Sequence, residues 1–161
     1  MRAGRRLRQA VLLMLLVANA GPAPAADDPY AAGVAAFEQE DWQAVLEHMN
    51  AALEARPQQE NAHALMGFAY RRLGDYPAAL DSYGKALTLN PYNRGALEYL
   101  GETYLELDRP DDARAALDRL AEACRRLAHG AFDPLTACTE WQELSEAYET
   151  YLANDPSAST E

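Results

Sequence analysis

The chain has 161 residues, with 25 Asp and Glu against 14 Lys and Arg and a net charge of −11. That length suits one domain with a real core. The acid excess excludes the electrostatic footprint of a nucleic-acid binder, which needs a basic face, and argues equally against docking on anionic lipid.

The first segment, "MRAGRRLRQA", carries Arg2, Arg5, Arg6 and Arg8 and no acid. A short apolar run, "VLLMLLVANA", comes next, then "GPAPAADDP" with small residues at Ala23 and Ala25. A basic stretch, an apolar stretch and a small-residue site make the layout of a secretory signal peptide. The apolar run is shorter than the roughly 20 residues that span a membrane. Residues 1–25 are therefore expected to be a signal peptide on the general export route, cleaved after Ala25, with no membrane insertion afterwards. The mature chain keeps ten basic residues against twenty-five acids, a net charge of −15.

A period of 34 runs through the mature chain. Gly33, Gly67 and Gly101 keep that step, as do Trp42, Tyr76 and Pro110, then Val45, Ala79 and Ala113, and the pair Pro57 and Pro91. Each unit holds two amphipathic helices, with apolar residues at three- and four-residue steps. Leu65, Met66, Ala69 and Leu73 share one face; Ala79, Leu80, Tyr83, Ala86 and Leu87 share the next. Gly74 stands where a glycine ends a helix, and Pro57 and Pro91 come after second helices. Glycine inside a helix costs about 1 kcal/mol against Ala, so Gly33, Gly67 and Gly101 imply close approach by a partner helix.

The unit from Glu60 to Asn93 resembles the tetratricopeptide repeat, through His63, Met66, Gly67, Tyr70, Ala79, Tyr83, Ala86 and Pro91. Only the first aromatic is replaced, by His63. The first unit, 26–59, keeps Gly33, Trp42, Ala52 and Pro57; the third, 94–127, keeps Leu97, Leu100, Gly101, Tyr104, Ala113 and Leu117 but has Arg125 in place of the closing proline. The resemblance implies an all-α, right-handed α-solenoid of three helix pairs within a domain of residues 26–153.

Without the third proline, the helix from about Asp111 is expected to run on to about Ala128. Asp133-Pro134 then reads as an N-cap and first helical residue, opening a capping helix over about 134–153. Its apolar stripe is Cys138, Trp141, Leu144, Tyr148 and Leu152, with Glu140, Glu143, Glu146 and Glu149 pointing elsewhere. A solenoid end needs such a cap, and the segment is similar to the tail of small exported tetratricopeptide proteins. Residues 154–161 lack periodicity and are expected to be a disordered tail.

Cys124 and Cys138 are the only cysteines. An oxidising compartment and this spacing predict a disulfide that pins the cap to the solenoid, contributing about 3 kcal/mol for a loop of about 15 residues. Two alternatives stand beside it: a thiol-redox pair, and a metal site that adds His129. The first lacks C-x-x-C spacing and the second lacks a nearby fourth ligand.

Members of the resembled family expose positions 2, 5, 9, 12 and 13 of each repeat to a concave groove. The resemblance places there Asp27, Tyr30, Val34, Phe37 and Glu38, then Asn61, Ala64, Phe68, Arg71 and Arg72, then Gly95, Glu98, Glu102, Leu105 and Glu106. Tyr30, Phe37 and Phe68 make an aromatic half. Glu98, Glu102 and Glu106 make an acidic stripe, which Arg71, Arg72 and Arg94 partly neutralise. The Lys and Asn clamp that some members use on acidic C-terminal tails is missing, so such tails are not expected there, and the acidic stripe suits a partner segment with basic residues. A solvated charged face and an aromatic set belonging to the core are the plain alternatives.

No nucleophile elbow, phosphate loop, paired-histidine zinc motif or dinucleotide fingerprint occurs. His48, His63 and His129 fall on a convex face, a packing position and a helix end. The expectation is a periplasmic adaptor for another exported or envelope protein, with no catalytic residue, cofactor or metal. The competing expectation is a periplasmic thiol or metal-handling protein centred on Cys124 and Cys138.

Overall fold

The computed structural model describes residues 28–127, 135 and 137–154. The expected signal peptide, His129, Asp133-Pro134 and the tail beyond Asn154 lie outside the described residues. Seven helices run in order: α1 Pro29–Glu38, α2 Trp42–Ala55, α3 Glu60–Arg72, α4 Tyr76–Leu89, α5 Arg94–Glu106, α6 Pro110–Leu127 and α7 Thr139–Asn154. The described residues contain no strand. None of these helices is long and apolar enough to cross a membrane.

Local chemistry sets the helix ends. The Asp41 and Asp75 carboxylates accept from the amides of Ala44 and Ala78, and the Asn93 side chain accepts from Ala96, each filling an orphan donor of the first turn. Each first helix ends in one hydrogen-bond pattern. The amides of Glu40, Gly74 and Asp108 donate to carbonyls three residues back, and those of Asp41, Asp75 and Arg109 to carbonyls five back. That pattern sets the first-named residue of each pair left-handed, with φ of 57°, 81° and 58°. α6 opens with Asp111 and Asp112 and closes with Arg125 and Arg126, matching the helix dipole at both ends.

Helices pair as α1–α2, α3–α4 and α5–α6; α3 also packs on α2, α5 on α4, and α7 on both α5 and α6. The core has two parts. One joins Ala36, Val45, Met49, Ala62, Met66 and Ala69. The other includes Tyr83, Leu97, Leu120, Cys124, Cys138 and Leu144. The repeating glycines have the expected use. A Cβ at Gly33 would stand 2.6 Å from the end of Met49, and one at Gly67 would stand 2.5 Å from the Tyr83 ring. At Gly101 the intruding side chain is Leu144 of α7, at 2.5 Å, so here the capping helix makes the close approach.

The cap departs from expectation at its start. Leu135 and Ala137 lie in turns, and α7 begins at Thr139 instead of 134. The Leu135 carbonyl accepts from Cys138, and the Cys138 carbonyl accepts the first helical bond, from Gln142. Cys138 therefore caps α7 and is not one turn inside it. The two cysteine Cα atoms are 6.0 Å apart, with the sulfurs at disulfide distance. Both residues are buried.

Candidate functional site

α3, α5 and α7 lie side by side, and the C-terminal halves of α3 and α5 with one face of α7 line an open cleft of about 780 Å³. Arg71 of α3 lines it, with Glu102, Leu105 and Glu106 of α5 and Asp108 just beyond. α7 contributes Glu143, Glu146, Ala147, Thr150, Tyr151 and Asn154. Five carboxylates therefore share with one guanidinium a surface whose remaining groups are apolar, hydroxyl and, at Asn154, amide.

Arg71 organises the cleft. Its side chain is only 11% exposed. One nitrogen meets the Glu102 carboxylate, and Nε lies 3.2 Å from Glu106 Oε1. Its guanidinium also stands 5.4 Å from the centre of the Phe68 ring. Removing one side of so enclosed an ion pair leaves the other charge uncompensated. Arg72, the neighbour, turns instead over Trp42 at 5.4 Å. Arg94 pairs with Glu140 of α7 at 3.3 Å. Of the three arginines expected to neutralise the stripe, only Arg71 bonds to Glu102 and Glu106.

The acidic stripe is not one open surface. Glu102 and Glu106 reach the cleft, but Glu98 is 5% exposed and covered by α7, where its carboxyl hydrogen-bonds that of Glu143. Burial first, then this contact and the nearby Glu102, Glu143 and Glu140, push the Glu98 carboxyl up to about 9. The same crowding corrects the expectation that the glutamates of the cap point away. Glu140 and Glu143 turn toward α5, while Glu146 lines the cleft.

The aromatic half divides in two. The Phe37 and Phe68 rings are 4.9 Å apart, and Phe68 also meets Trp42 at 5.5 Å and Tyr99 at 4.8 Å. Phe68 is thereby packed on four sides, counting Arg71, which makes it part of the framework behind the cleft. Tyr30 stands apart at the other end of α1. It lines a separate hollow of about 670 Å³ with Asp28, Arg56, Pro57, Gln58, Gln59, Glu60 and Asn61. Burial, then Glu60 and Asp28, raises its hydroxyl above the ordinary tyrosine range.

Of the expected groove residues, Arg71, Glu102, Leu105 and Glu106 come together. The α7 wall has no counterpart in the expected groove. A fourth unit in phase would begin at residue 128, whereas α7 begins at 139, eleven residues late. Counted from Thr139, positions 5, 9, 12 and 13 are Glu143, Ala147, Thr150 and Tyr151, all of which line the cleft. Tyr99 and Trp42, behind the cleft, also lie outside the expected set. Among the described residues, no group of three His, Cys, Asp or Glu is placed to hold a metal ion.

Stacked helix pairs, a cap and a cleft on the face of the first helices define a helical-repeat scaffold. Two family profiles, each described as tetratricopeptide repeat, match residues 30–93 and 70–125. The chain belongs to the tetratricopeptide repeat family. It is similar to the protein SGT1 homolog of Bos taurus, 26% identical over 150 residues. That match covers 85% of this chain and 44% of the relative, so the chain spans under half of that protein. Among solved structures it resembles the TPR2B domain of yeast Sti1 in complex with an Hsp70 peptide, at a TM-score of 0.68 and 14% identity, over 79% of this chain and 95% of that one. It also resembles the first TPR of Spaghetti (RPAP3) bound to the HSP90 peptide SRMEEVD, at a TM-score of 0.58 and 19% identity, over 75% of this chain and 90% of that one. At these identities the likeness shows the fold.

Proposed function

We propose that the protein is an exported, periplasmic adaptor. Its cleft receives a peptide segment of another exported or envelope protein, and it performs no chemistry of its own. The observation that carries this reading is the cleft between α3, α5 and α7, lined at the positions that the family turns to its groove. The N-terminal layout of Arg2, Arg5, Arg6 and Arg8 before an apolar run supports export.

Related domains hold peptides, and one of those peptides, SRMEEVD, carries three acids against one arginine. The cleft here has the opposite complement, five carboxylates and one arginine already paired. A segment with Lys or Arg fits it, because an acidic tail meets like charge with no free cation to answer it. In an oxidising compartment Cys124 and Cys138 form a structural disulfide that fixes the α7 wall. Their burial supports a staple over an exchanging thiol pair, which needs access.

Site-specific photo-cross-linking tests the reading. A photoreactive residue at Thr150 or Leu105, in the cleft, should trap one envelope protein in intact cells. The same group at Glu54, exposed on α2, should not. Equal trapping from all three positions would remove the cleft as the site. N-terminal sequencing of the exported protein should begin at Ala26, and a start at Met1 would remove the export step.

A further inference from the structure

Glu98 is more deeply buried than any other carboxylate described, and no basic group is bonded to it. The charged and titratable groups around it are Tyr99 and Glu102 of its own helix and Glu140 and Glu143 of α7, with Arg94 one turn back on α5 and Arg71 of α3 reached through Glu102. Both arginines are engaged elsewhere, Arg94 with Glu140 and Arg71 with Glu102 and Glu106. α4 and α6 bring Tyr83, Leu117, Leu120 and Ala123 to the core shared with α5 and α7. What touches the Glu98 carboxyl is the carboxyl of Glu143. Two ionised carboxylates are acceptors only and cannot hydrogen-bond, so the contact requires a proton. Leu144, next to Glu143 on α7, is seated on Gly101 of α5, which ties that contact to the docking of the cap.

We infer that α7 docks on α5 by taking up a proton, held on the buried Glu98 carboxyl where it faces Glu143. Undocked, Glu98 regains water and titrates in the ordinary carboxylate range, near 4.3. Docked, its carboxyl is held up to about 9. Between those limits the docked state binds one proton more than the undocked state. Docking is strongest below the ordinary carboxylate range and weakens as pH rises, by about tenfold per pH unit for one proton, until the upper limit is passed. α7 is also one wall of the cleft, so proton uptake sets how much of the cleft exists. That consequence rests on the adaptor reading; the docking step does not.

Amide hydrogen exchange on the full exported protein reads docking without any ligand, so its failure is distinct from failure of the adaptor reading. After correction for the intrinsic pH dependence of exchange, protection across residues 139–154 should fall about tenfold per unit between about pH 6 and 8.5, while α4 stays protected. Glu98→Gln should keep α7 protected and abolish the slope, since an amide donates to Glu143 without a proton. Glu143→Gln, on the more exposed partner, should make the slope shallower without abolishing it, because burial still acts on Glu98, and it keeps the test open if the first variant does not fold. Protection of α7 that does not change with pH in the wild type overturns the inference, and so does a slope that either substitution leaves unchanged.

Discussion

Glu40, Gly74 and Asp108 stand 34 residues apart, and each is the left-handed residue that ends a first helix. Only the middle one is glycine. A side chain at that conformation crowds the next carbonyl and costs on the order of 1 kcal/mol. Glu40→Gly is therefore expected to raise stability by about 0.5–1 kcal/mol in chemical denaturation. Asp108→Gly should gain less, because the Asp108 carboxylate accepts from the Tyr151 hydroxyl of α7. Position decides the sign of glycine substitutions in the helices too. A Cβ at Gly67 would stand 2.5 Å from the Tyr83 ring, whereas one at Gly84 meets nothing within 4 Å. Gly67→Ala should destabilise by about 1–3 kcal/mol. Gly84→Ala should stabilise by up to about 1 kcal/mol. Equal midpoints for the two variants would contradict this packing.

At the scale of the helices, the helix pairs were legible in the period of 34, with Gly74 as a stop and Pro57 and Pro91 after second helices, while the caps at Asp41, Asp75 and Asn93 emerged only with the structure. The cap was legible in kind but not in position. Asp133-Pro134 is a persuasive start signal, yet the chain turns through Leu135 and Ala137, and the Cys138 carbonyl takes the first helical bond. At that start Cys138 lies at disulfide distance from Cys124 on α6, and Leu144 sits on Gly101. The cysteine pair was legible from its spacing, but the seat of Leu144 on Gly101 joins residues far apart in sequence and has no local signature. Replacing Cys124 and Cys138 by Ser should therefore cost up to about 3 kcal/mol in the chain-entropy account. The far-ultraviolet helical signal should remain largely intact, because the cores of α1 to α6 do not require the link. Exchange should quicken first in α7. A double variant as stable as the wild type would deny the pair its role as a staple.

At the scale of the whole molecule, the repeat phase identified Arg71, Glu102, Leu105 and Glu106 as neighbours in one cleft, but it could not show Glu98 going under the cap. Burial of Glu98 depends on where α7 lies across α5, and an eleven-residue offset hid α7 from the period. The acidic face a partner would meet is therefore Glu102, Glu106, Asp108, Glu143 and Glu146, without Glu98. Phe68, packed by Phe37, Trp42, Tyr99 and Arg71, is a poor probe of binding, because its removal loosens the framework before it removes any contact with a ligand. Charge is the better probe. Glu106 and Glu146 are exposed on opposite walls, so Glu106→Lys with Glu146→Lys reverses the field of the cleft; Glu106→Lys also gives up the contact with the enclosed Arg71, which keeps its pairing with Glu102. For a partner segment bearing Lys or Arg, the double variant should slow association by about tenfold or more and change dissociation less. Added salt should slow wild-type association, since charges beyond about 10 Å are screened at 0.1 M, and should affect the variant little or in the opposite sense. Glu47→Lys with Glu54→Lys, exposed on α2, makes the same change of net charge away from the cleft and serves as the control. Binding kinetics at two salt concentrations separate the cases. If the cleft and control variants slow association equally, net charge alone is responsible, and the partner docks on another face of the solenoid.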